Sequence, residues 1–140
     1  MKNAIQNIPQ SLVYEMVEGK PVYYRGYKEY LKGKKQIDEL MGSSYLQSLI
    51  ITKLVFLLMS NLDKKYQVLT NEVGLQFKEK SWRAADIAIV ETKKLKKIKK
   101  SNKYLNIAPK IVIEIDTKAE LEEVKDSFGY FHKNTDELVE

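Results

Sequence analysis

The sequence contains no cysteine and a single histidine, His132. The first absence excludes disulfides and thiolate zinc sites and leaves the redox compartment open. The second excludes a histidine-rich metal cluster. Long apolar runs are missing too: the most apolar stretch, Leu49 to Met59, is interrupted by Lys53 and is too short to span a bilayer. The opening "MKNAIQNIPQ" lacks the long apolar core of a secretory signal. A cytoplasmic protein that does not engage membranes is the expectation. No internal repeat or low-complexity linker divides the chain.

What is present suits one globular domain. A chain of 140 residues is long enough to bury about two thirds of the surface its unfolded form exposes. With 44% hydrophobic and 31% charged residues it has the composition of a folded, soluble domain and not of a disordered one. The net charge of +5 and pI near 9.2 are compatible with a nucleic-acid partner. That excess is concentrated in "KKLKKIKKSNK", Lys93 to Lys103, whereas Glu114 to Glu140 is acid-rich. The lysine run reads first as a solvated connection between strands and second as a phosphate-contacting segment.

Hydropathy patterning orders the elements. "LVYEMVEGKPVYYRGY" places a Gly-Lys-Pro turn between two Val- and Tyr-rich segments, which predicts a strand pair. "YKEYLKGKKQIDELMG" follows as a helical or irregular lead-in broken at Gly33. "SSYLQSLIITKLVFLLMSNL" carries Leu46, Leu49, Ile50, Leu54, Leu57 and Leu58 at three- and four-residue steps, predicting a helix capped by Ser43 or Ser44 and stopped at Asn61 to Asp63. "YQVLTNEVGLQFKE" and "WRAADIAIVE" read as strands joined by the turn-prone "KEKS", and "PKIVIEID" reads as a third. Thr117 and Glu120 form a capping box that opens a final helix with Leu121, Val124, Phe128, Phe131, Leu138 and Val139 on its apolar side.

Three carboxylates stand apart from this pattern. In "PKIVIEID" the strand period puts Val112, Glu114 and Asp116 on one side, the two acids roughly 7 Å apart at Cα. Like charges on an apolar sheet need a metal ion, a basic partner or open water. Asp86 stands in the other apolar strand. If the two strands are neighbours, Asp86, Glu114 and Asp116 make an oxygen-rich site suited to Mg²⁺ or Mn²⁺. A cation held there activates water and neutralises charge on a phosphate, the chemistry of phosphodiester hydrolysis. Taken alone, Glu114 and Asp116 read first as wetted strand-end acids, with Asp116 or Thr117 as helix N-cap; Asp86 on a facing strand turns the reading to the metal site.

The order of elements and acids resembles the PD-(D/E)XK nuclease superfamily, and within it the Uma-two family of restriction endonucleases. "YEMVEGKPV" is similar to that family's Tyr-Glu-x-x-x-Gly-x-x-Val signature, "RAADIAIV" to its Pro-Asp strand and "IVIEIDT" to its Glu-x-x-Ser strand end, so the resemblance covers the chain from about Leu12 onward. It implies an α/β (α+β) fold, a restriction-endonuclease-like mixed sheet flanked by helices with an N-terminal strand pair. It further implies that Glu15, Asp86 and Glu114 fall on the family's acidic positions. It implies a Mg²⁺-dependent endonuclease whose partner is nucleic acid, DNA first.

This chain departs from the pattern in three places. Ala85 replaces the usual proline, and Asp116 occupies the position of the superfamily's lysine. Lys118, Lys125 or Lys133 could reach in from the final helix to supply that cation, Lys118 or Lys125 by preference. The chain ends at "TDELVE", where family members continue into a further strand. The expectation is one domain, residues 1–140, without the last core strand, and with a sheet edge through which copies could associate. The alternative is a catalytically inactive nucleic-acid-binding or protein-interaction module on the same fold.

Overall fold

The computed structural model describes residues 7–115. The final helix, its capping box, Asp116, Lys118, Lys125 and the question of a further strand lie outside the described residues.

A hairpin comes first, β1 (Val13–Val17) and β2 (Lys20–Tyr23). Its turn is Glu18–Gly19, with φ of 49° and 78°. Two successive positive φ values give the mirror-type turn whose twist matches that of the strands. The turn thus lies one residue before the expected Gly-Lys-Pro, and Lys20 and Pro21 already pair with Val17 and Met16. Proline is tolerated because β2 is an edge strand. The lead-in that follows is a short helix, α1 (Tyr27–Leu31), and a single 3₁₀ turn at Ile37–Glu39.

The long helix α2 (Tyr45–Asn61) starts at Ser44, whose Oγ accepts the Gln47 N–H at 3.2 Å. Its inward stripe is Ile50, Ile51, Leu54, Val55 and Leu58, all half-buried against the sheet. Of the six residues expected to share the inner face, Leu46, Leu49 and Leu57 are instead exposed. The helix is apolar on nearly every side, so its periodicity had no polar face with which to choose a direction.

β3 (Tyr66–Lys78) and β4 (Ser81–Glu91) form a long hairpin, and β5 (Ile111–Ile113) returns to β4. Between β4 and β5 lie the short helix α3 (Thr92–Leu95) and an exposed stretch of lysines; Lys93 and Lys94 reach back to Glu91 at 3.6 and 3.3 Å. All pairings between named strands are antiparallel. Among the described residues, the parallel component expected of a mixed sheet is limited to one isolated bridge, Leu75 with Leu105. The architecture is α+β, a five-stranded sheet in the order β2-β1-β4-β3 with β5 also on β4. β4 is its centre: Ala85, Ile87, Ala88, Ile89 and Val90 are buried, and Leu75 and Ala85 form a nucleus packed by Val73, Phe77, Leu105 and Val112.

The segment around Leu105 is held on β3 by Leu105 N–H to the Gly74 carbonyl and Gln76 N–H to the Leu105 carbonyl, both 2.9 Å. The Tyr104 ring lies over bare Gly74, and a Cβ built there would overlap it. Tyr104 in turn packs on Trp82, ring centroids 5.1 Å apart. Gly74→Ala is therefore expected to expel Tyr104 and to cost about 1–3 kcal/mol. Thermal unfolding followed by Trp82 fluorescence checks this, and adding Tyr104→Ala should recover most of the loss.

Candidate active site at a gap in the sheet

β3 occupies one edge of β4 along nearly its whole length. The other edge must then be shared by two strands: β1 pairs there at Trp82, and β5 from Ile87 to Ile89. Residues 83–86 lie in the gap between them, where no backbone ladder satisfies β4. Ala84 and Asp86, two apart, send their N–H groups to the same edge. Ala84 N–H donates to Glu15 Oε1 at 3.2 Å, and Asp86 N–H to Glu114 Oε2 at a long 3.4 Å. Two carboxylates thus take the place of the missing strand backbone.

The β4–β5 register, Ile87 with Ile113 and Ala88 with Val112, continued by one step sets Asp86 opposite Glu114. Residues directly opposite in an antiparallel pair share a face, with Cβ atoms about 5 Å apart. Ile115 N–H donates to Asp86 Oδ2 at 2.7 Å, closing the strand end on the aspartate. The two acids expected on neighbouring strands are therefore brought together. Across β4, Asp86 faces a bulge: the register shifts between Thr70 and Val73, so that Asn71 and Glu72 oppose one residue. Both bulge residues have positive φ, 69° and 52°. Such conformations cost of order 1–3 kcal/mol each and cluster at functional sites.

Glu15 is placed differently from the other acids. It is 2% exposed and its Oε2 accepts from Arg83 Nε at 2.8 Å, while Arg83 is itself 8% exposed. Burial raises the Glu15 pKa; Arg83 and the Ala84 N–H pull against that rise. Glu15 closes the β1 side of the gap as half of a buried ion pair.

Glu114 is pushed up to about 8, first by burial of its carboxyl and then by the charge of Asp86, with Glu15 adding to the push and the Asp86 N–H and Arg83 opposing it. The residue as a whole keeps an exposed side. Tyr14, beside Glu15, is raised above the ordinary phenol value by burial and by the charges of Glu15, Glu72, Glu114 and Asp86. A neutral phenol thus stands near four carboxylates, its ring 5.1 Å from that of Tyr24.

Arg83, Tyr14 and the Glu72 bulge were not among the site residues inferred from sequence. Arg83 had a usable signal: it shares the strand period with Ala85 and Ile87, and a charge on a buried face requires a partner. The bulge had only the weaker signal of Asn71, a residue type that adopts positive φ more readily than other non-glycine residues. Among the described residues no set of three or more His, Cys, Asp or Glu side chains is placed to hold a metal ion. The pair Asp86 and Glu114 is what the described residues offer, and Mg²⁺ is commonly bound by one or two carboxylates with water completing its octahedron. No described helix is long and apolar enough to cross a membrane. Comparison with family models, with curated proteins and with solved structures finds no match.

Proposed function

We propose that this chain is a metal-dependent nuclease-like domain in which Asp86 and Glu114 bind Mg²⁺ or Mn²⁺ and direct it to a nucleic-acid phosphodiester. The observation that carries the reading is the placement of these two acids opposite each other at the gap on the β4 edge. The motifs "YEMVEGKPV", "RAADIAIV" and "IVIEIDT" support it by their likeness to the Uma-two pattern. A cation there would polarise a phosphate oxygen and lower the pKa of a bound water. The residues of the chain do the rest: Ile115 N–H orients Asp86, and Arg83 neutralises Glu15. Asp116 is the third ligand of the proposal, and Lys118 or Lys125 the cation in place of the superfamily's lysine.

A non-catalytic nucleic-acid-binding or protein-interaction module is the second reading. It is favoured by the pairing of the site's described cation, Arg83, with Glu15, and by Asp116 standing where the superfamily has lysine. Calorimetry with Mn²⁺ and cleavage of a supercoiled plasmid in Mn²⁺ separate the two. Saturable Mn²⁺ binding and plasmid nicking, both abolished by Asp86→Asn, are the expected results for the nuclease. Binding without nicking supports the second reading, and no binding removes the metal site.

A further inference from the structure

Residues 20–35 hold six cations against one acid, Glu29, and with them four of the chain's nine tyrosines, Tyr23, Tyr24, Tyr27 and Tyr30. The fold draws this stretch together beside the β2 edge. Tyr23 ends β2, and its ring lies 4.8 Å from that of Tyr27 at the start of α1, the two planes 32° apart. Between them the chain turns at Gly26, with φ of 84°, and Lys35 folds back until its Nζ is 3.1 Å from where a Cβ on Gly26 would stand. Lys28 Nζ is 5.9 Å from the centroid of the Tyr27 ring. Lys28 and Lys32 are both exposed, and among the described residues no carboxylate pairs with either of them or with Lys35.

Like charges four residues apart on a helix repel, and an anion between them offsets that repulsion. With Ile8, Tyr27 and Leu31, the same two lysines line an open depression of about 250 Å³ that has no acid in its wall. Pockets that enclose a whole drug-sized ligand run to about 300–1,000 Å³, so this one suits a single planar ring with the rest of the ligand outside. Aromatic and aliphatic walls with ammonium groups at the rim fit a ligand that is flat and uncharged in one part and anionic in the next. Single-stranded nucleic acid has that alternation, and each of its bases offers a face for stacking whatever its identity. A duplex keeps those faces within its own stack. A membrane surface fits less well, because α1 has five residues and Tyr23 and Tyr27 are half-buried, which leaves no apolar helix face to enter a bilayer.

We propose that residues 20–35 form a surface that grips single-stranded nucleic acid, with an unpaired base stacked on the Tyr23 and Tyr27 pair and the flanking phosphates on Lys28, Lys32 and Lys35. The inference rests on the nucleic-acid partner of the readings above and names its class, a strand with unpaired bases. Tyr24 joins this surface to the gap in the sheet, since its ring packs on Tyr14, a phenol within electrostatic reach of Asp86 and Glu114.

The test uses the full chain in EDTA, where metal-dependent cleavage is silent, and the fluorescence polarisation of a labelled oligothymidylate of about twelve nucleotides, within the site size of such binders. The single strand is expected to bind at least about tenfold more tightly than a duplex of the same length, and Tyr23→Leu with Tyr27→Leu to lose at least about tenfold in affinity. Lys28→Gln with Lys32→Gln, at exposed positions, should lower the slope of log affinity against log salt by about 1.4, or about 0.7 for each phosphate contact on a single strand. Equal binding of the duplex, or unchanged affinity in a folded tyrosine variant, would overturn the proposal. So would a slope that falls with Lys99→Gln and Lys100→Gln but not with the Lys28 and Lys32 pair, which would place the strand on the later lysine run. Binding to phosphatidylserine vesicles without binding to the oligonucleotide would assign the surface to a membrane and overturn it as well. If the tyrosine variant unfolds, the lysine pair decides. Plasmid nicking by a chain that does not bind the oligonucleotide would overturn this inference and leave the nuclease reading standing, whereas single-strand binding without nicking supports it together with the non-catalytic reading.

Discussion

Replacing Arg83 with methionine is expected to destabilise the protein by about 3–5 kcal/mol, because it leaves the Glu15 carboxylate buried without its counter-ion. For a domain of this size that is a fall of roughly 10–20 °C in the thermal midpoint. The deficit should depend on pH in a definite direction. Burial raises the Glu15 pKa in the folded state and Arg83 lowers it, so removing Arg83 raises it further. A carboxyl with a raised folded pKa holds its proton in the native state after the unfolded chain has released it, so stability falls as pH rises through that window. Below the ordinary carboxylate range both states are protonated and the penalty disappears. Urea unfolding of Arg83→Met should therefore show its largest loss at neutral pH and a smaller one near pH 4.5. Glu15→Gln in the same chain should recover at least half the neutral-pH loss, since a neutral amide costs less to bury than a lone carboxylate. A loss that is independent of pH, or one that the second substitution deepens, would show that Arg83 acts by packing alone.

Divalent-metal affinity is expected to rise about tenfold per pH unit up to about 8 and then level off, because Glu114 must lose a proton to become a ligand and its pKa in the metal-free fold lies near 8. The sign follows from the same linkage. Without metal, the native state keeps a proton on Glu114 that the unfolded chain gives up in the ordinary carboxylate range, so stability declines as pH rises toward about 8. A cation bound at Asp86 and Glu114, as proposed, would replace that proton and reverse the decline. Titrations with Mn²⁺ in two buffers of different ionisation enthalpy should report the release of one proton at pH 6.5 and less than half of one at pH 8.5. Glu114→Gln should weaken binding, flatten its pH dependence, and remove the decline in stability of the metal-free protein. Binding with no proton release at pH 6.5 would place the metal elsewhere than on Glu114.

The strand pair, the long helix with its serine cap, and the long β3–β4 hairpin were legible because each is written locally. Alternation of apolar residues and a helix-capping serine act over a few residues, so neighbouring sequence suffices to read them, although the hairpin turn falls at Glu18–Gly19, one residue before the expected Gly-Lys-Pro. The inner face of α2 was not legible. Leucine, isoleucine, phenylalanine and methionine encircle the helix, and only its position against β3 and β4 separates Ile50, Leu54 and Leu58 from Leu46, Leu49 and Leu57.

For the candidate site, sequence by itself determined the presence of acids in apolar strands and the exclusion of thiolate and histidine-cluster metal chemistry. An ionisable side chain among Ile, Ala and Val is conspicuous wherever it falls, because an unpaired charge is costly to bury. Tertiary structure decided which acids meet and which do not. β1 and β5 share one edge of β4, and the gap between them leaves the Ala84 and Asp86 N–H groups to be met by Glu15 and Glu114. The same arrangement gives Glu15 to Arg83 and sets Asp86 opposite Glu114. These partners lie 68 and 28 residues apart in the chain. No local pattern encodes such a pairing, since it arises only when strands distant in sequence compete for the hydrogen-bonding edge of a third.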